Sequence, residues 1–327
     1  MTSIHLLIHT KLQHNVEILC SNLSRYFLIA IFRSKPAQNT ILQPKHKCLV
    51  RWCSLVIVIS VMATVVVVPM FVHFATEPQV INNEQALFTA QCVTAIPKTT
   101  LDIDGQLAVA SWNIYKQQNS GWQTLLSQLA DQNQLLLLQE VKLSDEFQQW
   151  RQQSQHKLAM VQAFRQGDTP LGVMNLSEVS ASQSCGYLTS EPIIQFPKSS
   201  LLSYFPLSNG ETLLVANLHS INFEYALDSY AEQLQQLLPA LRAHKGPIIF
   251  GGDLNTWRQA RLSMLSQITM VLGLKAVTPD DDTRSTVMGY PIDHIYYRGL
   301  TLQSARVITT ETSDHHPLLA QFKVGDS

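Results

Sequence analysis

Residues 247–255 read PIIFGGDLN, an apolar stretch that runs directly into two glycines, an aspartate and an asparagine. A short apolar run bounded by glycine is typical of a strand buried in a protein core. The ends of such strands are rigid positions from which side chains reach the surface. We therefore expect Asp253 and Asn255 to stand at a functional site.

Other apolar stretches predict that this strand belongs to a sheet-rich domain. Predicted strands cover residues 107–113, 134–141, 171–177, 212–219, 247–253, 292–297, 306–310 and 318–323. The clearest helical periodicity lies at about residues 223–244, with Gly246 as a stop signal and a kink or break expected at Pro239. Four leucines at 135–138 are typical of a strand covered on both faces. These patterns predict an α/β or α+β domain of about 220 residues, large enough to bury a full core.

Polar side chains follow many of these strands at the point where the strand gives way to a loop. The six places are Asn113, Gln139-Glu140, His219 with Asn222, residues 253–255, Asp293-His294 and residues 313–316. Any one of them alone is more often a helix cap, a surface turn or a satisfied core pair. Six of them in one domain favour a shared site.

The residue types at these places fit one kind of reaction. Carboxylate and amide oxygens suit Mg²⁺ or Mn²⁺, and no Cys or His spacing resembles a zinc site. Such a cation neutralises phosphate charge, while a histidine protonates a leaving oxygen or orients water, and an aspartate partner fixes the histidine tautomer. This inventory indicates phosphoester hydrolysis.

The order of the motifs resembles that of a known superfamily. The motifs are Trp112-Asn113, Gln139-Glu140, Asn217-Leu218-His219, Gly252-Asp253-Leu254-Asn255, the Asp293 strand and Ser313-Asp314-His315. In this order they resemble the endonuclease/exonuclease/phosphatase superfamily over roughly residues 105–324, and residues 112–118, 217–223 and 297–300 look like its bacterial YafD-like (UPF0294) branch. The resemblance implies a DNase I-like four-layer sandwich, with two packed mixed β-sheets flanked by helices.

The resemblance also implies roles for the site residues. Glu140 is expected to be the principal Mg²⁺ (or Mn²⁺) ligand, assisted by Asn113 and Asp314. Asp253 is expected to align or deprotonate the attacking water, and Asn255 to hold a phosphate oxygen.

Two histidines complete the implied site. His315, oriented by Asp293, is expected to contact the phosphate, and His219 to protonate the leaving oxygen. Asn222 and Arg284 are further phosphate-binding candidates; for Arg284 a solvated surface position is the alternative.

The sequence departs from the superfamily pattern in two respects. DNase I-like members pair their first histidine with a glutamate that has no matching motif here; Glu178 and Glu191 are considered for that place. The basic inserted loops with which nucleases grip duplex are not recognisable, which weakens a role in DNA cleavage but leaves the hydrolytic core intact.

An apolar segment precedes the domain. Only 14% of the 327 residues are charged, against about 25% in average soluble domains. Residues 54–75 contain no Asp, Glu, Lys or Arg, and a helix of that length crosses roughly 30 Å of hydrocarbon. We predict a transmembrane helix there, with a buried core segment or a cleaved signal peptide as alternatives. Residues 1–53 have no assigned role, and 76–104 are predicted to be an irregular linker to the domain at 105–327.

Charge and cysteine positions predict where the domain lies. Seven Lys and Arg precede the apolar segment, so the positive-inside rule places the N-terminus in the cytoplasm and the domain outside the inner membrane, in the periplasm if the cell is bacterial. A cytoplasmic domain is the alternative if the start of the chain is placed too far upstream. Cys92 and Cys185 either pair in an oxidising exterior or remain unrelated buried thiols.

The charge of the domain limits the classes of substrate that it is expected to bind. From residue 76 onward 16 Lys and Arg face 23 Asp and Glu, a net charge of −7, whereas proteins that grip long nucleic acids usually carry a basic stripe. We expect a metal-dependent hydrolase of a phosphodiester or phosphomonoester, such as a lipid headgroup or nucleotide near the membrane. A nuclease acting on DNA or RNA is one alternative. A catalytically inactive binding module is another, although the complete set of polar residues argues against it.

Overall fold

The computed structural model describes residues 72–83, 87–88, 91–192 and 194–325. Its strands are β1 (Val72–Ile81), β2 (Leu87–Phe88), β3 (Cys92–Thr94), β4 (Gln106–Asn113), β5 (Leu135–Lys142), β6 (Lys157–Gln166), β7 (Thr169–Ser177), β8 (Gln183–Ser190), β9 (Pro197–Pro206), β10 (Thr212–His219), β11 (Ile248–Asp253), β12 (Lys275–Ala276), β13 (Thr286–Val287), β14 (Tyr290–Pro291), β15 (Asp293–Arg298), β16 (Leu300–Val307) and β17 (Leu318–Val324). Its α-helices are α1 (Trp122–Gln132), α2 (Asp145–Ser154), α3 (Asp228–Ala243) and α4 (Gln259–Val271).

The strands form two large mixed sheets. The first sheet has the order β16-β17-β4-β5-β7-β6-β1-β2, and the second has the order β12-β15-β11-β10-β9-β8-β3. The pairs β4–β5 and β10–β11 are parallel, and the other pairs within these sheets are antiparallel. Strands β13 and β14 form a separate hairpin.

Apolar side chains bind the sheets to each other and to the helices. One buried cluster lies between the sheets and includes Val109, Val215 and Ile249. A second cluster joins α1 and α2 to the first sheet, and a third joins α3 and α4 to the second sheet. The result is the expected four-layer sandwich, because each amphipathic helix buries its apolar stripe on the outer face of a sheet.

Strand register brings several predicted site residues into one row. In the second sheet Asp253 of β11 pairs with His219 of β10 on one side and with Asp293 of β15 on the other. Gly252, with a φ of 131°, permits this close packing, because a Cβ there would lie 2.1 Å from the Leu218 carbonyl oxygen. The glycines of residues 247–255 therefore shape the row that contains the catalytic candidates.

The predicted elements agree with the observed ones in the centre of both sheets. The predicted strands at 107–113 and 212–219 match β4 and β10 closely, whereas β6, β8 and β9 were not predicted. The helix predicted from about residue 223 begins only at Asp228, because the Glu224 carboxylate accepts the backbone N–H groups of Ser229 and Tyr230 and caps the helix there. This helix continues through Pro239 without a break.

The segment before the domain differs from expectation where it is described. Residues 1–53 and most of the predicted transmembrane helix lie outside the described residues, and its last four residues, 72–75, belong to β1. The irregular linker predicted at 76–104 is wrong in part, since it contains the rest of β1 and all of β3. Pairing of β1 with β6 and of β3 with β8 supplies hydrogen bonds that local sequence patterns do not reveal. No helix within the described ranges is long and apolar enough to cross a membrane.

The two cysteines that follow the apolar segment form a disulfide. Cys92 of β3 and Cys185 of β8 are directly opposite each other in the second sheet, and their sulfur atoms are bonded. The bond attaches the short edge strand β3 to the sheet.

Candidate active site

The site lies where the strand ends of both sheets meet. Asn113 ends β4 in the first sheet, and its Nδ2 donates a hydrogen bond of 3.0 Å to Oδ2 of Asp253 in the second sheet. Both residues are 2% exposed. The Oδ1 atom of Asn113 accepts the backbone N–H of Tyr115 at 3.0 Å. The amide therefore fixes the distance between the sheets at the point where the polar side chains gather.

A second amide pair joins the sheets behind the site. Gln139 Nε2 donates to Asn217 Oδ1 at 2.8 Å, and Asn217 Nδ2 donates to the Met174 carbonyl oxygen at 3.0 Å. Gln139 and Asn217 are fully buried. Gln139 and Asn217 hold together the strands that carry Glu140 and His219. They therefore position these two side chains.

Glu140 leaves its strand through an unusual backbone conformation. Its φ is 54°, and the pairing of β5 with β7 shifts register between Leu138 and Val141, as in a β-bulge. A positive φ is uncommon for a residue with a side chain and is typical of functional sites. The bulge turns the Glu140 carboxylate into the site.

Lys116 meets Glu140 from an equally unusual turn. Tyr115, Lys116 and Gln117 have φ values of 52°, 54° and 56°, a left-handed turn that costs roughly 1–2 kcal/mol per residue. Gln117 anchors the turn by exchanging hydrogen bonds of 3.0 and 3.1 Å with the backbone of Lys142. Lys116 Nζ consequently lies 2.5 Å from Glu140 Oε2.

This ion pair determines the charge of Glu140. Burial opposes ionisation of the carboxyl group, but the positive charge of Lys116, together with that of Lys198, outweighs it and lowers the pKa of Glu140. Burial likewise opposes the charge of Lys116, and Glu140 overcomes it, so that the pKa of Lys116 is raised. Glu140 is therefore a carboxylate at neutral pH.

His219 has a cationic partner in place of the expected glutamate. Its Nε2 lies 2.7 Å from Lys198 Nζ, 3.5 Å from Asp253 Oδ2 and 3.7 Å from Glu140 Oε1. Burial, and then the charge of Lys198, lower the pKa of His219 to about 4. At neutral pH the imidazole is neutral, and Nε2 accepts a hydrogen bond from the Lys198 ammonium group.

Neither glutamate candidate pairs with His219. Glu178 is exposed, while the buried Glu191 accepts the backbone N–H groups of Asn222 at 2.6 Å and Phe223 at 3.0 Å. Glu191 thus shapes the loop that follows His219.

His315 is bound to an aspartate. Its Nδ1 donates to Asp293 Oδ2 at 2.8 Å, and its Nε2 lies 3.8 Å from Asp253 Oδ2. Burial opposes the imidazolium form, but Asp293 and Asp253 overcome it and raise the pKa of His315 to about 10. His315 therefore carries a positive charge at neutral pH and presents Nε2 toward the centre of the site.

The two carboxylates expected to hold a metal, Glu140 and Asp314, both interact electrostatically with the Lys116 ammonium group. Burial raises the pKa of Asp314, His315 opposes that effect, and the like charge of Glu140 adds to it. A positive charge nearby offsets the repulsion between these two carboxylates. Carboxylate oxygens suit a hard divalent cation, so Glu140 and Asp314, with the remaining lone pair of Asn113 Oδ1, are the candidate ligands for such a cation.

A second group of possible ligands is buried nearby. One ligand atom from each of Asp253, Asp293 and His315 lies within 4.8 Å of the others. Asp293 Oδ1 is buried and has no hydrogen-bond partner among the described residues. A free buried acceptor of this kind indicates that water, substrate or a cation completes the site when it is loaded.

The remaining predicted residues have mixed surroundings. Asn255, with a φ of 47°, donates from Nδ2 to the Ser220 carbonyl oxygen at 3.0 Å, which leaves one amide N–H for a phosphate. The backbone carbonyl of Asn222 accepts from Arg261 at 3.1 Å. Asn222 therefore belongs to a fixed loop beside His219.

Arg284 is bound by neighbouring groups of the protein. Its guanidinium group forms two 2.7 Å hydrogen bonds with the Asp282 carboxylate and one of 3.0 Å with the Asp293 carbonyl oxygen, and its side chain is 9% exposed. It is therefore not a solvated surface residue, and its role as a phosphate ligand stays a prediction. It supports the strand that presents Asp293.

Sequence reasoning missed three basic residues of the site. Lys116 lies within a quoted motif, but nothing in its sequence predicts a left-handed turn. Lys198 follows Pro197 at the start of β9, which was not predicted as a strand. No sequence pattern singled out Arg261 on helix α4. Its side chain donates to the backbone carbonyl oxygens of four loop residues, Ile221, Asn222, Glu224 and Asn255.

The fold and this arrangement define a class of protein. The family model described as the Endonuclease/Exonuclease/phosphatase family matches residues 110–315, which include nearly all of the site. The chain belongs to this family. Within it the chain is similar to the UPF0294 proteins; that of Vibrio campbellii (strain ATCC BAA-1116) is 40% identical over 253 residues, or 76% of this chain and 90% of the relative.

Solved structures share the fold at lower identity. ANGEL2, a 2′,3′-cyclic phosphatase, is 18% identical with a TM-score of 0.55, over 67% of this chain and 95% of that chain. The catalytic domain of human Nocturnin, solved with a bound sulfate anion, is 16% identical with a TM-score of 0.55, over 71% of this chain and 96% of that chain. At these identities the likeness shows the fold alone.

Proposed function

We propose that this protein is a divalent-metal-dependent phosphoesterase that hydrolyses a phosphodiester or phosphomonoester by in-line attack of water. Membership of the endonuclease/exonuclease/phosphatase family supports a hydrolase acting on phosphoester bonds. The observation that carries the proposal is the convergence of Glu140, His219, Asp253 and the His315–Asp293 pair on one edge of the sandwich.

Each residue has a task that follows from its surroundings. Asp253, fixed by Asn113 and flanked by both histidines, orients or deprotonates the attacking water. His315 carries a positive charge because of Asp293, so it binds a phosphate oxygen and stabilises the charge that develops there. Asn255 adds one amide donor to the phosphate.

The oxygen donors supply the place for the metal. Glu140, Asp314 and Asn113 would hold Mg²⁺ or Mn²⁺, and a bound cation of this type neutralises phosphate charge. Lys116 keeps Glu140 ionised and oriented in the absence of a divalent ion.

The charge of the domain favours a small ester over a long nucleic acid. The net charge of −7 from residue 76 onward disfavours tight binding of duplex. A lipid headgroup or a nucleotide is therefore the preferred substrate, a nuclease acting on DNA or RNA is the second candidate, and an inactive binding module is the third.

The location is proposed on separate grounds. We infer a single-pass inner-membrane protein with its domain outside the membrane. The basic residues before the apolar segment 54–75 and the Cys92–Cys185 disulfide, which is stable in oxidising compartments, support this. A reporter enzyme that is active only in the periplasm, fused to the C-terminus, should be active; a reporter active only in the cytoplasm would contradict the topology.

The activity is tested with the full chain and a panel of phosphoesters. We expect turnover with Mg²⁺ or Mn²⁺ that stops with a chelator. Glu140→Ala should reduce kcat by about 10²-fold or more at saturating metal, because it removes the principal ligand. Glu178→Ala, which removes an exposed carboxylate, is the matched control and should retain full activity. A fully active Glu140→Ala variant would refute the assignment, and no metal-dependent turnover on any ester would favour the binding module.

A further inference from the structure

Lys198 is a half-buried lysine that the proposed mechanism does not use. It lies at the start of β9, and its Nζ is 2.7 Å from His219 Nε2. It interacts electrostatically with the carboxylates of Glu140, Glu191 and Asp253. In the described part of the chain none of these carboxylates lies within the 4.0 Å ion-pair distance of Nζ. The ammonium group is thus drawn toward the site by negative charge without being consumed by an ion pair.

The contact between Lys198 and His219 assigns the proton between them. A lysine ammonium group has three N–H donors and no acceptor, so His219 Nε2 must accept. A histidine that accepts at the nitrogen facing the site has no proton there to give to a leaving oxygen. His219 therefore cannot itself perform the role that the superfamily resemblance implies for it, as long as Lys198 remains charged and in contact.

Lys198 has the free N–H donors that His219 Nε2 lacks. One of its N–H groups is bound to His219, and two remain for other acceptors. Burial lowers the pKa of Lys198, which makes the ammonium group a better proton donor than an exposed lysine. His219, whose Nε2 also lies 3.5 Å from Asp253 Oδ2 and 3.7 Å from Glu140 Oε1, holds the ammonium group at the edge of the site.

We propose that Lys198 is a further catalytic residue, whose ammonium group donates the proton to the leaving oxygen of the ester while His219 positions it. This inference rests on the proposed phosphoesterase function. In the step, water forms a new P–O bond and gives one proton to Asp253. The old P–O bond breaks, its electron pair stays on the leaving oxygen, and that oxygen takes a proton from Lys198. Solvent then returns a proton to Lys198 and removes one from Asp253, so that the balance closes.

The proposal predicts a dependence on the leaving group. An alkoxide, as released from a glycerol or sugar ester, is a strong base and needs a proton as it departs. A p-nitrophenolate ion is a weak base and departs without one. A lysine that only binds phosphate or stabilises the fold would affect both kinds of ester equally.

The test compares Lys198→Met with the wild-type full chain on two matched esters, one with an alkyl and one with a p-nitrophenyl leaving group. We expect kcat on the alkyl ester to fall by about 10²-fold or more, as for loss of a general acid, and kcat on the nitrophenyl ester to change little. Lys198→Arg keeps the positive charge but holds its proton too tightly to give it up. It should therefore show the same selective loss.

Controls separate this inference from folding and from the proposed function. Lys157→Met removes an exposed lysine at the start of β6 and should behave as wild type on both esters. Thermal unfolding of each variant checks the fold, and Lys198→Arg serves if Lys198→Met does not fold. Equal losses on both esters, or no loss on either, would overturn the role of Lys198 while leaving the phosphoesterase intact. If the wild type hydrolyses no ester with metal, the proposed function fails, and the inference falls with it.

Discussion

The two histidines of the site lie on opposite sides of Asp253 and have opposite partners. Their Nε2 atoms are 3.5 Å and 3.8 Å from the same Asp253 oxygen. On one side Lys198 and burial lower the pKa of His219 to about 4, and on the other Asp293 and Asp253 raise the pKa of His315 to about 10. The same residue type therefore offers a lone pair on one side and a positive charge on the other, and the partner decides which.

An arginine supports the backbone on each side. Arg261 donates to the carbonyl oxygens of the loop that follows His219, and Arg284 joins the Asp282 carboxylate to the Asp293 backbone. We call the first set the His219 side, comprising Lys198, His219 and Arg261. The second set is the His315 side, comprising Asp293, His315 and Arg284 with its neighbour His294. The comparison predicts that charge changes on the His315 side affect catalysis most strongly.

The largest expected effect follows from removing the charge that maintains His315. Asp293→Asn keeps the shape and an oxygen acceptor for His315 Nδ1, but the negative charge is lost. We expect kcat to fall by about 10²- to 10⁴-fold at neutral pH, measured on the best ester from the panel. The variant should have a native circular dichroism spectrum.

The pH profile of Asp293→Asn tests whether His315 acts as a cation. In the wild type His315 keeps its proton until pH approaches about 10, so its charge is constant through the neutral range. Without Asp293 its pKa falls, and the remaining activity should decline as pH rises through neutrality. A variant with full activity and an unchanged profile would show that His315 does not act as a cation.

A smaller effect, on stability, is expected from Arg261 on the His219 side. Arg261 is fully buried, and its side chain donates to four carbonyl oxygens, at Ile221, Asn222, Glu224 and Asn255. Arg261→Met leaves these acceptors without a donor, and we expect the free energy of unfolding to fall by about 3 kcal/mol in urea. Arg242→Met, at an exposed position in α3, is the control and should change it by less than about 0.5 kcal/mol. An equally stable Arg261→Met variant would mean that the loop after His219 is held by Glu191 alone.

The sequence predicted the positions of His219, Asp253 and Asp293 better than those of the basic residues around them. His219, Asp253 and Asp293 follow recognisable apolar strands, and regular strand pairing is enough to place them in one row. The Asp293–His315 pair was expected from resemblance, and its hydrogen bond is present in the structure.

The basic residues next to His219 and Glu140 were not predictable from local patterns. Lys198 lies on β9, whose position depends on pairing with β8 and β10. Lys116 reaches Glu140 because two segments, the turn at 115–117 and the bulge at Glu140, both adopt positive φ. Local propensities disfavour such conformations, and tertiary contacts such as those of Gln117 with Lys142 stabilise them. The sequence positions of the acidic residues therefore did not reveal the basic residues that contact them.

The smallest expected effect concerns a third histidine, adjacent to Asp293. His294 is 6% exposed; its Nε2 lies 2.7 Å from Thr256 Oγ1, and its Nδ1 lies 3.2 Å from Arg284 Nη1. Burial, and then the positive charge of Arg284, lower the pKa of His294 to about 3. Asp293 and His294 are thus neighbours in one strand with different roles. Asp293 keeps His315 protonated, whereas His294 itself is kept neutral by burial and by Arg284.

The neutral state of His294 makes stability depend on pH. Because its folded pKa lies below its unfolded value of about 6.5, the unfolded chain binds a proton that the folded chain does not. The contribution of neutral His294 is complete above pH 6.5 and is lost as pH falls toward 3, at a rate of up to about 1.4 kcal/mol per pH unit. His294→Gln keeps an acceptor for Arg284 and a donor for the Thr256 region but does not titrate. Urea unfolding at pH 7, 6, 5 and 4 should therefore show a stability difference between wild type and variant that shifts in favour of the variant as pH falls. Other groups titrate equally in both proteins, so parallel curves would show that the pKa of His294 is the same in the folded and unfolded chain and that burial and Arg284 do not lower it.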